Sequence, residues 1–154
     1  MEKVYSVNQI LDCVSEKTGV FELWGRPATG KTTLMLQTVG EINKRKAGTA
    51  LIFSLEASEA LLRRRMQQLN IPCDRVVIDD TPHPTAAHIE RKIKQLGNVS
   101  ILAVDYLQLM ENTVREQLPW IAEEFGILIL AVGVLGPKNH EEDKGVYLWV
   151  QNGN

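Results

Sequence analysis

The stretch that decides the fold is Gly25-Arg26-Pro27-Ala28-Thr29-Gly30-Lys31-Thr32. Its two glycines, lysine and hydroxyl follow the spacing G-x-x-x-x-G-K-[ST], a match that arises by chance in roughly one per cent of chains this short. A loop of this kind presents successive backbone N–H groups around a concavity next to a helix N-terminus, and both features favour phosphate. The stretch therefore predicts a phosphate-binding loop between a strand and a helix.

The sequence on both sides of the loop predicts the strand and the helix that it requires. Residues 20–24 form a short apolar run, and residues 31–46 form a helical pattern that ends before Gly48. Ser58 and Thr85 are suited to cap two later helices. Alternating apolar and amphipathic runs predict further strands at 49–54, 75–78, 101–104, 127–132 and 146–150, and helices at 58–70, 85–96 and 119–125.

This alternation of strands and helices predicts an α/β fold. Strands joined by crossover helices form a mainly parallel sheet with helices on both faces. The chain has 154 residues, of which 44% are hydrophobic, enough to bury a core without disulfides or structural metals. Neither a linker nor a repeat divides it, so we expect a single domain over residues 1–154.

The composition narrows the possible partners and the compartment. A formal net charge of -2 gives no overall basic footprint, so contact with nucleic acid needs a local patch. Short basic runs at 44–46, 63–65 and 91–92 lie on predicted helices, where a solvated polar face is the commoner explanation.

Cys13 and Cys73 have no neighbouring ligands at metal spacing and suit a reducing compartment. Because the sequence has no long apolar segment, we expect a soluble cytoplasmic protein without a membrane partner.

Two carboxylates lie where a sheet of this kind binds its ligands, beyond the carboxyl ends of its strands. Asp105 ends an apolar run, and a magnesium ion would offset the cost of burying its charge; the alternative is an aspartate that caps the following turn. Glu56 follows the strand at 49–54, where it could accept a proton from a water in line with a γ-phosphate. It could equally be a glutamate that is favourable near a helix N-terminus. Spacing alone leaves both roles of Glu56 open.

Four segments, in order, resemble the motor domain of the DnaB-type replicative helicases, which have the RecA-like fold. They read GRPATGKTTL, FSLEASEALLRRRM, IDDTPHPTAAHIERKIKQL and AVDYLQLM, and the resemblance runs from about residue 21 to residue 110. After Met110 the resemblance fades. It is specific, because four separate motifs agree.

The resemblance implies a role for each matching residue. Lys31 and Thr32 would bind ATP and magnesium, Glu56 would be the catalytic base, and Asp105 would support the magnesium ion. Lys31 would also act in catalysis. The residues implied in nucleotide binding are Gly25, Arg26, Pro27, Ala28, Thr29, Gly30, Lys31, Thr32 and Thr33. For the matching segment Asp79-Asp80-Thr81 we expect a role in a turn or at the start of a helix.

The chain also departs from the family's pattern. Val134 lies where the family has a glutamine that senses the γ-phosphate, and a valine cannot form that hydrogen bond. Trp149 and Gln151 lie where the family has a lysine and an arginine that reach the neighbouring subunit's ATP, just before an Asn-Gly turn at 152–153. Only residues 136–144 separate the last two strands, in place of the family's DNA-contacting loops.

These features leave three functions open. The first is an ATPase core in DNA replication or recombination, with weak hydrolysis alone, a possible single-stranded DNA partner and a possible oligomer, but no autonomous unwinding. The second is a nucleotide-binding accessory or regulatory module that partners a helicase or another replication protein. The third is a small-molecule kinase, which needs arginines in a lid, whereas residues 136–144 supply only Lys138 and Lys144.

Overall fold

The computed structural model describes residues 2–27, 29–134 and 145–151. In these ranges the strands are β1 (Glu2–Val4), β2 (Gly19–Gly25), β3 (Thr49–Ser54), β4 (Val76–Asp79), β5 (Val99–Asp105), β6 (Leu128–Val134) and β7 (Val146–Gln151). The helices are α1 (Val7–Val14), α2 (Lys31–Arg45), α3 (Glu59–Gln68), α4 (Ala86–Leu96), α5 (Asn112–Arg115) and α6 (Leu118–Phe125), with a 3-10 turn at Leu107–Leu109.

The strands form one sheet in the order β1-β7-β2-β6-β5-β3-β4. The five strands from β2 to β4 in this order run parallel, whereas β7 pairs antiparallel with both β1 and β2. Gly25 is in register with Val134, and Ser54 is in register with Asp105. The carboxyl ends of β2, β6, β5 and β3 therefore meet at one edge, and the predicted mainly parallel α/β sheet is confirmed.

Helices cover both faces of the sheet because the central strands are apolar on both sides. One core contains the buried faces of α1, α2 and α3, with Ile10, Leu36 and Met66 among its fully buried side chains. The other contains those of α4, α5 and α6, including Ile89 and Ile121. The sheet is thus held rigidly from both sides, which fixes the edge where the strands end.

Local signals in the sequence account for most of the helix boundaries. The side chains of Ser58 and Thr85 accept hydrogen bonds from the backbone N–H groups of Leu61 and His88, so both predicted N-caps are confirmed. Gly97 ends α4, as predicted. Three predicted boundaries were wrong by two residues: α3 ends at Gln68, β5 begins at Val99 and β6 continues to Val134.

Candidate functional site

The loop between β2 and α2 needs glycine at two positions. Gly30 has a φ of 84°, in the left-handed region that side chains other than glycine rarely adopt. At Gly25 an added Cβ atom would lie 2.8 Å from the Thr29 hydroxyl oxygen and 3.1 Å from the Gly145 carbonyl oxygen. The spacing of the two glycines is therefore required by the backbone of this loop.

Lys31 begins α2 and folds back across the loop. Only 3% of the residue is exposed, and its ammonium group donates to the carbonyl oxygen of Arg26 at 2.6 Å. Its nitrogen also lies 3.5 Å from the Thr29 hydroxyl oxygen. Burial lowers the pKa of Lys31, while the negative charge of Asp105 opposes this shift. The loop thus holds a poorly hydrated cation at its centre.

Asp105 and Thr32 meet beside this cation. The Thr32 hydroxyl donates to Asp105 Oδ1 at 3.5 Å, and only 3% of Asp105 is exposed. Burial raises the pKa of Asp105 to about 6, and the charge of Glu56 adds to this rise. The charges of Arg65 and Lys31 and the Thr32 hydrogen bond oppose it. A buried carboxylate next to a hydroxyl is a donor set that suits magnesium, which takes one or two protein oxygens together with phosphate oxygens and water.

Glu56 is exposed and follows the end of β3. The Ser54 hydroxyl donates to the Ala57 carbonyl oxygen at 2.6 Å and shapes the turn that presents it. The backbone N–H of Leu55 donates to the carbonyl oxygen of Asp105 at 2.7 Å, which ties this turn to the end of β5. The charge of Glu56 lies close enough to Asp105 to raise the pKa of that aspartate.

The rest of the predicted set surrounds these residues. Pro27, Gly30 and Thr33 are exposed, and Arg26 and Thr29 are partly buried. Ala28 lies outside the described residues. The fold therefore brings Lys31, Thr32, Asp105 and Glu56 to one edge. Their roles stay predictions.

The basic run at 63–65 was predicted to form a solvated face, and Arg64 and Arg65 are exposed, but the sequence did not indicate that Arg65 lies near Asp105. Arg65 is exposed on α3, yet its charge lowers the pKa of Asp105. Arg63, in contrast, pairs with Glu59 at 2.8 Å along the same helix. Charge patterning alone cannot distinguish the two arginines, because the difference depends on how α3 packs against the sheet.

The segment at 79–81 has the structural role predicted for it. Asp79 Oδ1 accepts from the backbone N–H of Thr81 at 2.9 Å, which closes a turn. Asp80 Oδ2 accepts from the backbone N–H of Glu59 at 2.9 Å, at the start of α3. The expectation of a turn and a helix entry is confirmed.

Of the positions that depart from the family's pattern, Val134 lies next to the loop, whereas Trp149 and Gln151 lie farther along β7, opposite Glu22 and Val20 and away from the loop. Val134 ends β6 opposite Gly25, and its carbonyl oxygen accepts a hydrogen bond from the Gln108 side chain. Trp149 lies on β7 opposite Glu22 and is half-exposed. Residues 136–144 and 152–153, on which the predictions about a lid, DNA loops and a final turn fall, lie outside the described residues.

The chain is similar to a probable replicative DNA helicase of Trieres chinensis, with 30% identity over 164 residues. The match covers 78% of this chain and 36% of that protein, so the chain spans about a third of the length of this curated relative. No protein-family model matches the chain.

Several solved structures share the fold. The ATPase domain of G40P matches with a TM-score of 0.66 and 19% identity over 83% of this chain and 61% of that one. A DnaB-like replicative helicase, described with its interactions with primase, matches with a TM-score of 0.65 and 19% identity over 82% of this chain and 41% of that one. A KaiC-like protein of Pyrococcus horikoshii matches with a TM-score of 0.62 and 22% identity over 77% of this chain and 61% of that one. The predicted RecA-like fold is confirmed.

No described helix has the length and apolar character needed to cross a membrane. No group of three or more His, Cys, Asp or Glu side chains suited to a metal ion occurs in ranges 2–27, 29–134 and 145–151. A magnesium ion held by Thr32, Asp105 and phosphate oxygens does not require such a group.

Proposed function

The chain is a divergent relative of the DnaB-type helicase motor domain, and on this premise we propose that it binds ATP and hydrolyses it slowly, as an ATPase core in DNA replication or recombination. The observation that carries the proposal is the buried contact between Thr32 and Asp105 beside the buried ammonium group of Lys31. We also propose that residues 1–154 form one RecA-like domain and that the protein acts in the cytoplasm.

The loop supplies several groups that would hold the triphosphate. Its backbone N–H groups would surround the phosphates, and the partial positive charge at the start of α2 favours their negative charge. Lys31 exchanges its contact with the Arg26 carbonyl oxygen for the β- and γ-phosphates. Thr32 and Asp105 would hold magnesium, which supplies positive charge that stabilises the phosphates during transfer.

Glu56 is the proposed general base. It follows the end of β3, and its charge is close enough to raise the pKa of Asp105. A water oxygen attacks the γ-phosphorus, the bond from that phosphorus to the bridging oxygen of ADP breaks, and the water proton passes to the Glu56 carboxylate. The products are ADP and inorganic phosphate.

Hydrolysis by the isolated chain is proposed to be slow. Val134 ends the strand next to the loop and offers only its backbone as a hydrogen-bond partner. By the resemblance, Trp149 and Gln151 replace basic residues that would act on the ATP of a neighbouring subunit; they pair with Glu22 and Val20, away from this chain's own loop. The absence of an arginine of this kind lowers turnover by about 10³- to 10⁵-fold in phosphoryl transfer.

Glu56→Gln tests the proposed reaction. ATP hydrolysis should fall about 100-fold or more, whereas ATP binding stays unchanged, because only the proton acceptor is lost. Glu124→Gln, which alters an exposed carboxylate on α6, should hydrolyse ATP at the native rate. Rates are measured with and without single-stranded DNA. Rates at background for the native protein under both conditions, or equal rates for the native and Glu56→Gln proteins, contradict the proposal.

A second candidate function is a nucleotide-binding accessory module that partners a helicase or another replication protein. The substitutions at Val134, Trp149 and Gln151 favour it, because they affect turnover more than binding. This candidate predicts tight binding of ATP or ADP without turnover stimulated by DNA. Strand separation by the protein alone would rule it out.

A further inference from the structure

A second cleft lies beside the phosphate loop, on the side away from Asp105. It has a volume of about 560 Å³. The residues that line it include Tyr5, Thr29, Gly30, Thr33, Leu34 and Val146. The cleft therefore joins the loop and the first turn of α2 to the outer strands β1 and β7.

The order of the strands gives the direction in which a bound nucleotide must lie. β2, which leads into the loop, has β6, β5 and β3 on one side and β7 and β1 on the other. Asp105 and Glu56 follow β5 and β3, so they define the end where the γ-phosphate reacts in the proposed function. The α-phosphate and the nucleoside must then leave the loop in the opposite direction. That direction leads over Thr33 and Leu34 into the cleft.

Tyr5 gives the cleft an aromatic surface held in place by its neighbours. The residue is 76% exposed, so most of its ring is available to a ligand. The Lys3 ammonium group, which also lines the cleft, lies 5.6 Å from the centre of the ring. The Gln9 side chain accepts from the backbone N–H of Tyr5 at 2.8 Å and donates to the Lys3 carbonyl oxygen at 3.0 Å. Gln9 thus holds the backbone between Lys3 and Tyr5, which leads into the ring.

We propose that this cleft receives the base and ribose of the nucleotide bound at the loop, and that Tyr5 stacks on the base. The inference rests on the proposed function and adds to it a contact that determines affinity for the nucleoside. Every base presents a π-face, so stacking on one tyrosine tolerates different bases. The cleft favours nucleotides over inorganic polyphosphate.

Calorimetric titration with ADP and with inorganic tripolyphosphate tests this proposal. Tyr5→Ala should bind ADP about tenfold more weakly and tripolyphosphate as tightly as the native protein, because only the base contact is lost. Tyr5→Phe, which keeps a stacking ring, should bind both as the native protein does. Trp120→Ala removes an aromatic side chain that is 77% exposed on α6, and it should change neither affinity.

The outcomes separate this proposal from the proposed function. If the native protein binds tripolyphosphate but binds ADP no more tightly, the cleft does not receive a nucleoside, although the phosphate loop works. Native affinity for ADP in Tyr5→Ala, or an equal loss of both ligands in that variant, also overturns the proposal. If the native protein binds neither ligand, the proposed function itself is wrong.

Discussion

Lys31 and Asp105 carry opposite charges in places that water hardly reaches. Burial lowers the pKa of the first and raises the pKa of the second to about 6, and each charge partly opposes the shift of the other. Perturbed groups of this kind at the edge of a sheet are typical of functional sites. We infer that a bound triphosphate supplies a negative partner for the buried Lys31 ammonium group. Magnesium would supply a positive partner for the buried Asp105 carboxylate.

Thr32→Val tests the magnesium contact. Valine keeps the shape of threonine but removes the hydroxyl that contacts Asp105, so magnesium should lose one ligand. We expect the affinity for ATP with magnesium to fall about 10- to 100-fold, and the affinity for ATP without magnesium to stay unchanged. Calorimetric titration with and without magnesium measures both.

Thr38→Val is a matched control on the same helix. It also removes a buried hydroxyl, one that donates to the Leu34 carbonyl oxygen at 2.7 Å instead of facing Asp105. It should retain the magnesium dependence of the native protein. If Thr32→Val retains it too, Thr32 does not hold the ion.

At the scale of single elements, Asp79 joins β4 to α4. Its carboxylate accepts from Thr81 and lies 2.7 Å from His88 Nε2 and 3.8 Å from Lys92 Nζ. Burial alone would raise the pKa of Asp79, but the hydrogen bonds from Thr81 and His88 outweigh it and lower the pKa below its ordinary value of 3.8. The stabilisation is therefore fully present above about pH 4 and is lost as the pH falls through the lower pKa of the folded state.

Asp79→Asn should lower the free energy of unfolding by about 1–3 kcal/mol at pH 7, because the amide cannot replace the charge-assisted contacts. The difference from the native protein should shrink as the pH falls from 4.5 towards 3. Urea denaturation across this range measures it, with the exposed Asp74→Asn as a control that should match the native protein. A difference of constant size down to pH 3 would contradict the assigned role of Asp79.

The sequence predicted elements with strong local signals and missed those that depend on distant partners. The strand at 49–54 was predicted to the residue, because it is apolar and clearly bounded. β1, α1 and α5 were not predicted. α1 is an exception to this rule, because its Ser6 N-cap and its buried Ile10, Leu11 and Val14 are local signals. β1 has only three residues and exists through its antiparallel pairing with β7, more than 140 positions away in the chain. Local patterns contain no information about such a pairing.

At the scale of the whole molecule, the strand order determines what meets at the site. The loop after β2, the turn after β3 and the end of β5 come from separate parts of the chain and meet at one edge. The rule that ligands lie beyond the carboxyl ends of strands was enough to predict this convergence. It could not predict the cleft at Tyr5, because that surface needs the antiparallel strand β7 next to β2.

The central claim is that one edge of the sheet binds a nucleoside triphosphate through Lys31. Calorimetric titration of a non-hydrolysable ATP analogue with magnesium tests it most directly, on the native protein, Lys31→Ala and the exposed control Lys44→Ala. The native protein and Lys44→Ala should bind alike, and Lys31→Ala should bind roughly a hundredfold more weakly, because it loses a buried charge contact to the phosphates. No binding by the native protein, or equal binding by Lys31→Ala, would contradict the claim.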